Sequence, residues 1–130
     1  MKIKLSYSLG KEFIFETESG KTYTMDENAP RPMELLLISL SGCTGIDVVE
    51  ILGKMKVPYE KLEIFVDGKR ASEHPRRYEY IKIIYKFYGK KLSEYREKIE
   101  RAVLLSQEKY CSVKASLNSD INHEIEIIDL

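Results

Sequence analysis

The chain has no tryptophan, one glutamine (Gln107), two cysteines (Cys43 and Cys111) and no arginine ahead of Arg31. Each scarcity excludes something. Two cysteines without a CxxC spacing make neither the disulfide framework of a small secreted domain nor a thioredoxin-like turn. Only His74 and His123 are available to complement them, and no closely spaced ligand set for zinc stands in the sequence, so neither metal nor organic cofactor is expected. Excess charge is absent too. Lysine and arginine total 21, aspartate and glutamate also 21, which removes the electrostatic footprint of a nucleic-acid or anionic-membrane binder. No apolar run of spanning length is read, and Met1 to Leu5 alternates instead of forming the apolar block of a signal peptide. A cytoplasmic protein with no nucleic-acid or membrane partner is expected. Its 130 residues suffice for one domain, 1–130, with a core that needs no staples. The near absence of Gln and the heavy use of Lys, Glu, Ile and Tyr match a thermophile's composition.

What the chain does have is one dominant stretch, Pro30 to Lys56. Pro30 and Pro32 stop what precedes it, and Glu34 falls in a first helical turn, where a carboxylate suits the helix dipole. Leu36, Leu37, Leu40, Cys43, Val48, Ile51, Leu52 and Met55 are apolar, and Leu35, Ile38 and Ile46 fill much of the other side. The pattern predicts a long helix buried on most faces. Gly42 and Gly45 each cost about 1 kcal/mol in a helix interior, and they bracket Cys43 and Thr44. They serve either close packing beside a buried cysteine or a notch through which a small molecule reaches the sulfur.

Around that helix, alternation predicts strands at Lys2 to Ser8, Glu12 to Glu18 and Lys21 to Asp26, a three-stranded meander with turns at Gly10 and Gly20. Further strands are predicted from Leu62 to Arg70, Arg77 to Tyr88 and Ile121 to Ile128. The Arg77 to Tyr88 strand carries Ile81, Ile83, Tyr85 and Phe87 on one face. A second helix starts near Leu92, buries Tyr95, Ile99, Ala102, Val103, Ser106 and Tyr110, and ends at Lys109-Tyr110-Cys111. The loop with His74, Arg76 and Arg77 reads as a solvated surface. The order predicts an α+β fold with antiparallel sheets, and the wide apolar coverage of the first helix predicts a homodimer with Pro32 to Lys56 near the interface.

The segment PRPMELLLISLSGCTGIDVVEIL, followed much later by EKYCSV, closely resembles the OsmC/Ohr family of osmotically induced and organic hydroperoxide resistance proteins. The resemblance covers most of the chain. It implies an intertwined homodimer with long central helices, and a thiol peroxidase acting on organic hydroperoxides. It further implies Cys43 as peroxidatic residue, Cys111 as the resolving one, and a dithiol as reductant. In well-known members an N-terminal arginine and a glutamate at the start of the long helix face the sulfur. Here residues 1 to 30 supply only lysines, leaving Arg31 as the nearest substitute, and Glu34 stands one position later than the family's acid. Nine residues of straight helix separate Glu34 from Cys43 by roughly 13 Å, so Glu34 is expected to act on the Cys43 of a second chain or to serve the helix dipole. Asp47, at i+4 from Cys43, shares its face, and its charge would raise the thiol pKa; Glu50 lies there too. GCTGIDVV resembles the less characterised OsmC-like branch. A second reading follows: a non-catalytic dimer of the same fold that binds an apolar small molecule, its cysteines structural.

Overall fold

The computed structural model describes all residues, 1–130, and divides into two compact units, Met1–Leu36 and Leu37–Leu130. In the first, β1 (Ile3–Ser6), β2 (Phe13–Thr17) and β3 (Thr22–Met25) form the expected antiparallel meander. Gly20 adopts φ +85° in the loop between β2 and β3, a left-handed position that closes a hairpin loop at no cost only for glycine. Its amide donates to Thr17 O at 3.0 Å.

Helix α1 (Pro32–Lys54) begins in this unit and continues through the second. It ends in a Schellman arrangement: Val57 N donates to Leu52 O at 3.1 Å and Lys56 N to Gly53 O at 3.2 Å, with Lys56 at φ +58°. Lysine occupies the left-handed position where glycine is usual. Val57 and Leu52, the apolar pair that accompanies such a cap, are both buried.

In the second unit, β4 (Lys61–Arg70), β5 (Tyr78–Gly89) and β6 (Asp120–Asp129) form a sheet with β5 in the middle. The expectation of purely antiparallel pairing needs one correction, because β5 and β6 run parallel, Ile83 opposite His123 and Phe87 opposite Ile127. A parallel pair requires a crossover of a dozen or more residues. A 3₁₀ turn (Leu92–Tyr95), α2 (Arg96–Leu105), a π-turn (Ser106–Tyr110) and the short α3 (Ser112–Ser116) supply it.

Ile81, Ile83, Tyr85 and Phe87 on one face of β5 are wholly buried, as the alternation predicts. The opposite face is wet, with Lys82 paired to Glu124 at 2.8 Å and Lys86 to Glu126 at 3.4 Å. Leu40, Thr44, Val48 and Leu52 of α1, Ile99, Ala102 and Val103 of α2, and Ser106 at the start of the π-turn are buried with the first face, and Thr44 joins Tyr85 of β5 and Ser106 by hydrogen bonds. Each set recurs at three- or four-residue steps, a narrow stripe. The expectation that α1 is covered on most faces is corrected for a single chain: Ile38, Ile46 and Val49 are 51%, 70% and 47% exposed. In length and composition α1 would also suffice to cross a membrane, which corrects the expectation that no apolar run reaches spanning length. One stripe of it is nonetheless committed to the sheet.

Candidate functional site

Cys43 sits on α1 one residue before the buried Thr44, and Cys111 follows the π-turn. Both are free thiols, Cys43 half-buried and Cys111 buried. The fold brings them together: Sγ of Cys43, Sγ of Cys111 and a carboxylate oxygen of Asp47 all lie within 4.8 Å of one another. Asp47 is there because a four-residue step on a helix returns to the same face.

The π-turn delivers Cys111. Cys111 N donates to Ser106 O at 2.8 Å, five residues back, so the helix is overfilled by one residue before the chain extends. That insertion turns both Ser106 and Gln107 inward and leaves Tyr110 49% exposed, a correction to the buried stripe predicted from strict helical spacing. Burial pushes the Cys111 thiol up to about 11, since a thiolate would lose hydration. The neighbouring Cys43 and the Asp47 charge push the same way, while a backbone amide at Lys114 opposes them.

Beneath the sulfurs lies a buried polar cluster. Gln107 Nε2 donates to Tyr85 OH at 2.5 Å and to Thr44 Oγ1 at 3.3 Å. Thr44 Oγ1 stands 2.6 Å from Tyr85 OH and 2.8 Å from Ser106 Oγ. Ser106 Oγ in turn donates to Asp47 Oδ2 at 3.0 Å. Burial pushes the Tyr85 phenol up to about 12, so it is a neutral hydroxyl at physiological pH. Sequence reasoning missed Gln107 altogether and took Ser106 for one of a helical stripe. The only signal was that Gln107 is the chain's single glutamine.

The two readings of the glycines divide between them. A Cβ on Gly45 would stand 3.3 Å from Ile64 Cδ1, so this glycine admits strand β4. A Cβ on Gly42 would meet nothing within 4 Å, so the chain beside Cys43 is open there. From Asp47 a cleft of about 410 Å³ runs along Glu50, Ile51, Lys54 and Met55 to Leu105 and Tyr110. Glu50 reaches Lys54 at 4.0 Å.

Glu34 lies in the first unit, where its Oε1 accepts the Arg31 amide at 3.0 Å at the start of α1. The Arg31 guanidinium donates to Asp26 O at 2.8 Å. His74 is exposed, and His123 packs edge-on to Tyr85, ring centroids 6.2 Å apart. Cys43, Cys111 and Asp47 are the residues with the spacing to hold a metal ion; the sequence spacing did not disclose that set because the fold joins its members. Chemically, two thiols at this distance can close a disulfide, and the carboxylate beside them can take or give a proton.

A family model described as OsmC-like protein matches residues 25–126. The chain is 35% identical to Protein YhfA of Escherichia coli (strain K12), over 98% of each chain. Among solved structures it is similar to a hypothetical protein from Aquifex aeolicus VF5, with 39% identity, a TM-score of 0.79 and coverage of 98% of this chain and 97% of that one. It also shares its fold with an organic hydroperoxide resistance protein OsmC from Legionella pneumophila, TM-score 0.65 at 11% identity, covering 99% and 96% of the two chains.

Proposed function

The chain belongs to the OsmC-like family, some of whose members are hydroperoxide resistance proteins, and from that premise we propose that it is a thiol-dependent peroxidase reducing organic hydroperoxides. The observation that carries the reading is the approach of two free thiols, far apart in sequence, one beside an open glycine and the other buried. The Cys43 thiolate attacks the distal peroxide oxygen. The O–O bond breaks, the alkoxide leaves as an alcohol after taking a proton, and Cys43 becomes a sulfenic acid. Cys111 sulfur then displaces water from Cys43 to close the disulfide, and a dithiol reductant restores both thiols.

The active form in this reading is a homodimer in the cytoplasm. Ile38, Ile46 and Val49 on α1, and Ile3, Leu5 and Ile14 on the meander, are large apolar side chains left exposed by one chain. Apolar surface on that scale marks an interface, and a second copy supplies matching surface by symmetry. Glu34, which holds the start of α1 in its own chain, is assigned to act on the partner's Cys43.

Thiol content, measured by mass before and after one equivalent of cumene hydroperoxide with the disulfide mapped by non-reducing digestion, tests the reading. Loss of both thiols to a Cys43–Cys111 bridge is expected, and Cys43→Ser should abolish turnover. Two thiols unchanged would sink the peroxidase and favour the pocket as a binding site for an apolar small molecule.

A further inference from the structure

The direction of the buried hydrogen bonds can be worked out from proton counts. A carboxylate oxygen only accepts, so the single Ser106 hydroxyl proton is spent on Asp47 Oδ2. Ser106 Oγ must then accept from Thr44 Oγ1, 2.8 Å away. That spends the single Thr44 proton, and Thr44 must accept from Tyr85 OH at 2.6 Å. Tyr85 has now spent its own proton and accepts from Gln107 Nε2. The chain runs one way, Gln107 to Tyr85 to Thr44 to Ser106 to Asp47. Each donor polarises the next, so successive bonds reinforce one another. All of this buried polarity converges on one carboxylate, and the cost is visible in Gln107 Oε1, which is buried without a partner.

A core that buries four polar side chains to fix one acid needs that acid in place. The acid lies within 4.8 Å of both sulfurs. We propose that Asp47 is the proton acceptor for Cys111 in the step that closes the Cys43–Cys111 disulfide, and that Ser106, Thr44, Tyr85 and Gln107 are positioning residues for its carboxylate. The S–H proton of Cys111 passes to Asp47 as the sulfur's electron pair forms the S–S bond. The bond between Cys43 sulfur and its leaving group breaks, and the leaving group departs with the bonding pair and takes the proton back from Asp47. When the leaving group is hydroxide, water is released and the carboxylate is regenerated. The peroxide-derived leaving group rests on the peroxidase reading; the proton transfer does not, because any group displaced from Cys43 makes the same demand.

The charged and titratable groups facing Cys111 are Cys43 and Asp47 on α1, Tyr85 on β5 and Lys114 on α3, whose Nζ is tied to Gln107 O at 3.0 Å. Asp47 alone among them brings a carboxylate oxygen within 4.8 Å of the sulfur. A purely electrostatic role for Asp47 predicts the opposite kinetic sign, since removing a negative charge beside a thiol favours the thiolate and should speed attack.

The test uses 4,4′-dithiodipyridine in place of a hydroperoxide. Reduced full-length protein is mixed with one equivalent, and thiopyridone release is followed by stopped flow. The first release marks capture by Cys43, the second the attack of Cys111 on the mixed disulfide. Asp47→Asn is expected to slow the second release about a hundredfold or more, the low end of general-base effects. Its rate should also climb with pH between about pH 6 and about pH 8, following thiolate population, where the wild type stays nearly flat. Thr44→Val and Ser106→Ala should fall between the two, with the same change in pH profile, and Asp47→Glu should restore part of the rate. A second release in Asp47→Asn as fast as wild type, or faster, overturns the proposal. If Asp47→Asn does not fold, an unaltered rate and pH profile in Ser106→Ala overturns it instead. Wild type inert to cumene hydroperoxide but showing the expected second-phase loss in Asp47→Asn would remove the peroxidase reading and leave the proton acceptor standing.

Discussion

Replacing Tyr85 by phenylalanine removes one oxygen atom and almost no volume, so its effect isolates the buried hydrogen-bond chain from the apolar packing of β5. The oxygen lies 2.5 Å from Gln107 Nε2 and 2.6 Å from Thr44 Oγ1. Losing it leaves the Gln107 amide and the Thr44 hydroxyl oxygen with one long contact between them, at 3.3 Å, in place of two short bonds to the phenol. Two net hydrogen bonds at about 1 kcal/mol each, with buried groups left behind, put the cost at about 2 kcal/mol. For a domain of this size that lowers Tm by about 6–10 °C. Urea unfolding at fixed protomer concentration should show the midpoint falling with the slope unchanged. Gln107→Met supplies the comparison: it loses the same donor but also removes the orphaned Oε1, so its cost should be smaller, roughly 0–1 kcal/mol. A Tyr85→Phe cost below about 0.5 kcal/mol, or the reverse order of the two variants, would refute the assignment of these bonds.

Three other outcomes follow from the structure. Gly42→Ala should raise stability by about 1 kcal/mol from helix propensity, whereas Gly45→Ala should gain less, because its Cβ would press on Ile64 Cδ1 at 3.3 Å; melting both at equal concentration checks this. Lys56→Gly should stabilise by up to about 1 kcal/mol, relieving the left-handed conformation at the end of α1. Stability should be lost at both pH extremes for different groups. Cys111 and Tyr85 titrate higher when folded, at about 11 and about 12 against 9.0 and 10.0, so the folded state holds their protons more tightly. Their contribution is full below pH 9 and disappears as pH rises through 12. Burial and Lys114 hold His123 below 6.5, so its contribution is present above that pH and is lost as pH falls beneath it. Denaturation curves across pH, repeated in Tyr85→Phe, and an NMR titration of His123 check both limbs.

Much of this architecture was legible because its signals are local. Alternation from Tyr80 to Tyr88 places Ile81, Ile83, Tyr85 and Phe87 on one face whatever the tertiary context, and all four are buried. The long helix, its start near Pro32 and the helical face shared by Cys43 and Asp47 follow from composition and a four-residue step. The direction of β6 did not, because strand direction is set by the crossover and leaves no mark in an alternating sequence. Helical spacing placed Ser106 in the core, but the burial of Thr44 and Gln107, and the hydrogen bonds of all three, were equally hidden. Each is an ordinary polar residue, and its place in the core is set by partners 22 to 63 positions away.

The deepest failure and the central feature have one cause. A strict helix through Tyr110 would have turned that tyrosine inward. The extra residue in the turn Ser106–Tyr110 instead exposes Tyr110, buries Gln107 and hands the chain to Cys111 in an extended conformation, φ −74° and ψ 97°. An insertion of this kind weakens helical hydrogen bonding and is retained where it serves a site. Here it does two things at once: it supplies the first donor of the chain that ends on Asp47, and it sets the second sulfur beside the first. Gln107 and Cys111 are therefore coupled through backbone geometry as well as through bonds. A deletion that restored regular α-helical spacing after Ser106 should lose the approach of the two free thiols and the buried amide together, where separate substitutions at the two positions would lose one each.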